Sequence, residues 1–251
     1  MSTLLAIIPH PDDESYAFGG TIALAARAGW RCLIECASYG EKGKRHDGGG
    51  TTPNEVADAR EQELIHSCRV LGAKEPRFWG LPDGELRAHR GEQARIARLL
   101  RAVRPDIVLT LGPDGAYGHP DHVALHRWVR EAWESLAEPR PALLFATFPR
   151  GLFLPQYEKC IGMMGNPPSP RAEDIGGERF RYEVPISGVA ATKVASIAAH
   201  QSQLPGGEAE ALFPPGIVRA LLAVERFEDA SGQPHEATSE LLAGLEHAKA
   251  G

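Results

Sequence analysis

Leu4-Leu5-Ala6-Ile7-Ile8-Pro9-His10-Pro11-Asp12-Asp13-Glu14 is the stretch whose reading decides the fold. Its first five residues form a short, continuous apolar run, the pattern of a strand buried on both faces in a parallel sheet. The next segment reads as a helix from about Tyr16 to Ala28, closed by Gly29. Pro9 to Glu14 therefore lie on the turn between a strand's carboxyl end and a helix's amino end, where ligands bind in open α/β sheets. A nucleotide-binding protein fills this turn with glycines, so that backbone N–H groups cradle phosphate. This chain puts one imidazole and three carboxylates there. Such a turn repels phosphate and invites a cation.

A second strand end carries the matching half. The buried-looking run Asp106 to Leu111 leads to Gly118-His119-Pro120-Asp121-His122 and a helical stretch from about Asp121 to Ser135. If both strands flank the sheet's switch point, His10, Asp13 and His122 form a mixed nitrogen–oxygen set with a position left for water. That is the pattern of a catalytic zinc site rather than a structural one. Helix capping and the helix dipole account for one or two of the acids at Asp12 to Glu14. They do not explain His-Pro-Asp at two separate strand ends.

The bulk numbers narrow the class. At 251 residues the chain is long enough for a large core. A net charge of −6, without an unusual basic cluster, argues against nucleic acid or an anionic membrane as the main partner. No apolar stretch approaches the roughly 20 residues needed to span a bilayer, and no signal peptide is expected, since a strand begins by residue 4 with no basic region before it. The four cysteines (Cys32, Cys36, Cys68, Cys160) lack paired metal spacing, which fits a reducing cytoplasm.

In chain order, further strands are expected at Arg31–Ala37, Arg77–Trp79 and Ala142–Thr147, with an edge strand at Tyr182–Ile186. Helices are expected at Asn54–Leu71, Glu92–Val103 and Thr192–His200, and a helix or strand within Val218–Phe227. The glycine-rich segment Ser38–Pro53, which contains Glu41, reads as a mobile loop over the strand ends. Arg60 and Glu63 share a helix face and read most simply as an exposed ion pair. Pro82-Asp83-Gly84 is turn chemistry, yet it sets Asp83 beyond a strand end. The proline-rich stretch 148–181 reads as an irregular excursion, a lid or an oligomer contact, with the Met163-Met164 pair serving packing. Residues 1–230 are expected to form a single α/β domain. Residues 231–251 are expected to add a linker and a C-terminal helix, Ala237–Lys249.

His10-Pro11-Asp12-Asp13-Glu14 with Gly19-Gly20-Thr21, together with His119-Pro120-Asp121-His122, resembles the LmbE-like, or PIG-L, metal-dependent N-deacetylases. Secondary matches are Arg60-Glu61-x-Glu63, Leu81-Pro82-Asp83-Gly84, and Lys193 followed by His200-x-Ser202-Gln203, so the resemblance spans residues 4 to about 203. It implies a Rossmann-like, mostly parallel open sheet with helices on both faces and a metal site at the strands' carboxyl ends. It implies Zn²⁺, with Fe²⁺ as the alternative, and hydrolysis of the acetamido group of a small amino-sugar substrate. Relatives act in mycothiol and bacillithiol synthesis, the latter type being the pathway expected here, and are often trimers or hexamers. By matching positions, His10, Asp13 and His122 hold the metal and Asp12 is the general base. A cationic His119, with Asp121 behind it, stabilises the oxyanion or protonates the leaving amine. Arg60, Asp83, Glu41, Tyr117, Glu14 and His200 are the expected substrate contacts. An amidase of a thiol-sugar conjugate, a non-catalytic metal-binding module and metal-dependent phosphoester hydrolysis stand as alternatives.

Overall fold

Alternate residues of the first strand face opposite cores, which is why both faces of the sheet need helices. Leu4, Ala6 and Ile8 join one apolar cluster, Leu5 and Ile7 the other. The computed structural model describes residues 1–232, 235–239 and 241. The strands are β1 (Thr3–Ile8), β2 (Arg31–Cys36), β3 (Arg77–Phe78), β4 (Ile107–Leu111), β5 (Ala142–Ala146), β6 (Tyr182–Pro185) and β7 (Val224–Asp229). They form one sheet in the order β3-β2-β1-β4-β5-β7-β6. β1 to β5 pair in parallel, and β7 runs antiparallel to both β5 and β6. The fold is thus the expected α/β class with a mostly parallel open sheet. Its switch point falls between β1 and β4, the two strands whose ends carry His-Pro-Asp.

The helices are α1 (Gly19–Arg27), α2 (Pro53–Leu71), α3 (Glu92–Val103), the kinked turn α4 (Gly115–Gly118), α5 (Pro120–Glu134), α6 (Leu154–Cys160), α7 (Ala190–Ala198) and α8 (Ile217–Leu221). Ile22 of α1, Leu64 and Cys68 of α2 and Ile197 of α7 cover one face of the sheet. Ile96 and Leu100 of α3 with Leu125, Trp128 and Val129 of α5 cover the other. Thr52 opens α2 with a capping box to Glu55, and Gly72, at φ 77°, closes it in the left-handed conformation. Between β1 and α1 the chain winds through a π-helical turn, Glu14–Phe18. Such turns favour functional sites because they re-aim side chains.

Two readings change. The stretch Val218–Phe227 is both a helix (α8) and a strand (β7); the buried Glu225 in the strand hides its apolar pattern. The excursion after β5 is not core-free: Phe148, Phe153, Tyr157, Met164 and Ile175 are buried in the first cluster. Its prolines bound short turns rather than preventing packing. Met164 packs as expected, but Met163 is 44% exposed. Residues 236–239 and 241 are helical, while the rest of the expected C-terminal helix lies outside the described residues. Among the described residues no helix is long and apolar enough to cross a membrane.

Candidate metal centre and active site

The turn after β1 and the start of α5 meet at the switch point. His10 Nδ1 lies 3.3 Å from His122 Nε2 and 3.5 Å from Asp13 Oδ2, and His122 Nε2 lies 3.6 Å from Asp13 Oδ1. A tetrahedral ion with bonds of about 2.0–2.2 Å spaces its donors about 3.3–3.6 Å apart. The two ring nitrogens fit such an ion, while Asp13 meets each ring with a different oxygen, so its carboxylate borders the position without one oxygen facing both. Burial, then the nearby His10, hold His122 well below its usual pKa, so its ring is neutral and its lone pair free for a cation. Burial disfavours charge on His10, but hydrogen bonds to Asp121, Asp13 and Asp83 outweigh it and raise its pKa well above the usual value. A cation at this site competes with a proton on His10.

Among the described residues, two sets of single donor atoms close to within 4.8 Å: His10 with His119 and His122, and His10 with Asp83 and Asp121. The second set orients rather than ligates. His10 Nε2 faces Asp83 Oδ1 at 3.1 Å and Asp121 Oδ2 at 3.3 Å, so its proton sits on Nε2 and Nδ1 is turned to the metal position. Asp121 is fully buried, and its oxygens also accept the Gly84 and Leu86 N–H groups. This corrects one expectation: the Asp121 side chain stands behind His10, not His119. Asp83 accepts the Lys42 N–H, and despite the burial that opposes its charge, His10 holds its carboxyl below the usual range.

His119 caps α5, its Nδ1 accepting the Asp121 N–H at 3.2 Å. Burial first, then His122 and His10, hold its pKa well below the usual value. With Nδ1 accepting that N–H, the ring's proton is left to Nε2. Asp12 sits at φ 105°, a backbone strained for any non-glycine residue. It is pinned there from two sides. Arg60 Nη2 binds the Pro11 carbonyl and lies 3.1 Å from Asp12 Oδ2, while Nη1 donates to Gly40 O at 2.8 Å. A Cβ on Gly40 would run into that guanidinium, and Gly40 itself has φ 66°. Glu14 Oε2 accepts the Asp12 N–H at 3.0 Å. Burial pushes the Asp12 carboxyl up to about 7, against the pull of Arg60.

Around this centre lies a cleft of about 380 Å³. His10, Asp12, Asp13, Arg60, Asp83, Tyr117, His119 and His122 all line it. Tyr117 stacks on Phe153 and meets His119 and His122 edge-on; burial keeps its phenol protonated. Three expected substrate contacts are not on the wall. Glu14 is fully buried, its Oε1 accepting from Ser67 Oγ at 2.6 Å and paired with His200 Nε2 at 2.7 Å, and His200 is 1% exposed. Glu41 accepts the Asp83 N–H and shapes that turn. Arg60 pairs with Asp12 rather than Glu63, whose carboxylate instead holds Ser202. Sequence reasoning missed Lys42, Gln156, Phe153, Met163, Gln203 and Phe213 on the wall. Only Gln203, beside His200 in the secondary motif, carried a signal.

Residues 5–133, half of the chain, match the family described as PIG-L, GlcNAc-PI de-N-acetylase. The chain belongs to the PIG-L family. The 1D-myo-inositol 2-acetamido-2-deoxy-alpha-D-glucopyranoside deacetylase of Nakamurella multipartita is 34% identical over 268 residues, covering 92% of this chain and 90% of the relative. Among solved structures, the N,N'-diacetylchitobiose deacetylase of Pyrococcus horikoshii superposes with a TM-score of 0.66 at 22% identity, over 91% of this chain and 83% of that one. GalB, the 4-carboxy-2-hydroxymuconate hydratase of Pseudomonas putida KT2440, superposes with a TM-score of 0.64 at 23% identity, over 91% and 96%. These two structures share the PIG-L fold and differ in reaction, so the fold alone does not name the chemistry. The family match and the metal-type donor set do that: PIG-L proteins are metal-dependent N-deacetylases.

Proposed function

We propose that this chain hydrolyses the N-acetyl group of a small N-acetylglucosamine glycoside, with Zn²⁺ held by His10, Asp13 and His122. The carrying observation is the pairing of those three donors with a separate, pinned carboxylate, Asp12, in one cleft. A dication bound there would polarise the amide carbonyl and lower the pKa of water from about 15.7 to about 7. Asp12, not needed as a ligand, accepts the proton that attacking water gives up; burial raises its pKa from the usual carboxylate range, which strengthens it as a base. The neutral His119 donates its Nε2–H to the developing oxyanion, a contribution worth about 3–4 kcal/mol when one such donor is deleted. A neutral donor suits that task because it needs no buried cation beside the metal. Arg60 and Asp83 line the cleft, where they meet sugar hydroxyls, and Tyr117 lines it edge-on to His119 and His122.

The inositol glycoside in the relatives' names is one substrate to test, beside the malate glycoside of bacillithiol-type synthesis. The test is acetate release by the zinc-loaded protein from N-acetylglucosamine and from its inositol and malate glycosides, with Asp12→Asn as control. Release that vanishes in the control supports the deacetylase. No release from any of them, with metal bound, moves the reading to an amidase of a larger conjugate or to a non-catalytic metal protein.

A further inference from the structure

Besides its polar residues, the cleft is lined by a set of apolar ones. The apolar lining comes from Phe153, just before α6, from Met163 after it, and from Leu212 and Phe213 in the turns before α8. An unbroken chain of rings runs out from the histidines. Tyr117 stacks on Phe153 at 6.1 Å, Phe153 meets Phe213 at 5.9 Å, and Phe213 meets Tyr16 at 5.0 Å. Met163 of this lining is 44% exposed, one of the four large apolar side chains exposed among the described residues. One polar group interrupts this wall. Gln156 is 8% exposed and lines the cleft; its Nε2 reaches only the Cys160 sulphur at 3.6 Å, and its buried Oε1 has no partner. A buried amide oxygen without a donor is costly, and a ligand N–H or O–H relieves that cost.

We infer that this apolar lining is a subsite for the group glycosidically linked to the amino sugar, and that this aglycone is alkyl or aryl with a single hydrogen-bond donor for Gln156. The inference rests on the deacetylase reading, which fixes the acyl group as acetyl and leaves the aglycone to fill the rest of the cleft. A polyhydroxylated ring such as inositol fits this wall poorly. Pressed against Phe153, Leu212 and Met163, its hydroxyls give up water and find one acceptor among them. An alkyl or phenyl group gives up nothing and gains the buried area.

The experiment compares kcat/KM for acetate release from hexyl and phenyl N-acetylglucosaminides, the inositol glycoside and free N-acetylglucosamine. Calorimetric binding of hexyl and phenyl glucosides to the zinc-loaded protein is measured beside it. The expected result is a preference of roughly tenfold or more for the hexyl and phenyl glycosides over the free sugar, expressed in KM. Binding should show a negative heat-capacity change, the mark of apolar burial. Met163→Ser and Leu212→Ser, both at partly exposed positions, should lower the ratio of hexyl glycoside to free sugar. Gln156→Leu should raise KM about two- to tenfold for a hydroxyethyl glycoside but not for the hexyl one. Equal or better turnover of the inositol glycoside overturns the inference while the deacetylase stands. So does a preference for N-octanoylglucosamine over the hexyl N-acetylglucosaminide, which would assign the wall to the acyl chain. Tight hexyl glucoside binding without acetate release from any substrate would instead overturn the deacetylase reading and leave the subsite.

Discussion

Replacing Glu14 by Gln should slow turnover without emptying the metal position, although Glu14 reaches neither cleft nor metal. The carboxylate is fully buried and serves three groups: the Ser67 hydroxyl, His200 Nε2 and the Asp12 N–H. A glutamine can accept at one atom only. If its oxygen keeps Ser67 and His200, its NH₂ faces the Asp12 N–H, donor against donor; the flipped amide moves the clash to the other pair. The first orientation orphans the Asp12 N–H, at about 1–3 kcal/mol, and the second requires Ser67 and His200 to turn their protons elsewhere. Losing the bond to the Asp12 amide frees a backbone held in a conformation that itself costs of order 1–3 kcal/mol, so Asp12 relaxes away from its working position. The general-base contribution is typically about 10²–10⁴-fold, and a loosened base forfeits part of it. The expected loss is roughly 10–100-fold in kcat, with KM and bound metal little changed. Steady-state acetate release and metal content on the same preparations measure this. Glu14→Gln with wild-type kcat would refute the claim that Glu14 positions Asp12. Loss of metal would show that Glu14 acts through Asp13 instead.

Asp12→Asn should retain one metal per chain, measured by emission spectrometry, while kcat falls by roughly 10²–10⁴-fold. The pH dependence has a definite sign. Asp12 works as the carboxylate, so activity rises with pH through its pKa, which is raised to about 7 by burial and which a bound cation brings lower. His119 is already neutral below that range, so its titration adds no basic limb near neutrality. His119→Ala should therefore lose rate but keep the shape of the profile. A basic limb abolished in that variant would restore the cationic histidine. Lys193 is fully buried, with Nζ on Glu225 Oε1 and the Tyr16 carbonyl, while Glu225 also accepts the Gly20 and Thr21 N–H groups. Lys193→Met strands the Glu225 charge and should cost about 3–5 kcal/mol in chemical denaturation, more than the double variant with Glu225→Gln.

The parallel core of the sheet and the metal set were legible because both depend on short-range pattern. β1 and β4 are continuous apolar runs, and each ends in His-Pro-Asp within a few residues. What escaped depends on contacts made across the chain. Asp121 was assigned to its sequence neighbour His119, but α5 turns the carboxylate back toward His10, 111 residues away. Glu14 and His200 looked like polar residues beside a pocket. Only the packing of α2 and α7 against the π-turn shows that they face each other behind Asp12. β7 stayed ambiguous because a buried Glu occupies an inward position, its charge met by a lysine that sequence spacing does not reveal. In the excursion, prolines obscured apolar residues that are spaced irregularly because they fill the cleft wall from short turns.

The most direct test is acetate release while zinc is titrated into the metal-stripped protein, with N-acetylglucosamine glycosides as substrates. Release should start from nothing and rise to a plateau at one ion per chain, with Asp12→Asn taking up the same ion and remaining nearly silent. Full release without metal would contradict the account, and so would a plateau that requires two ions per chain.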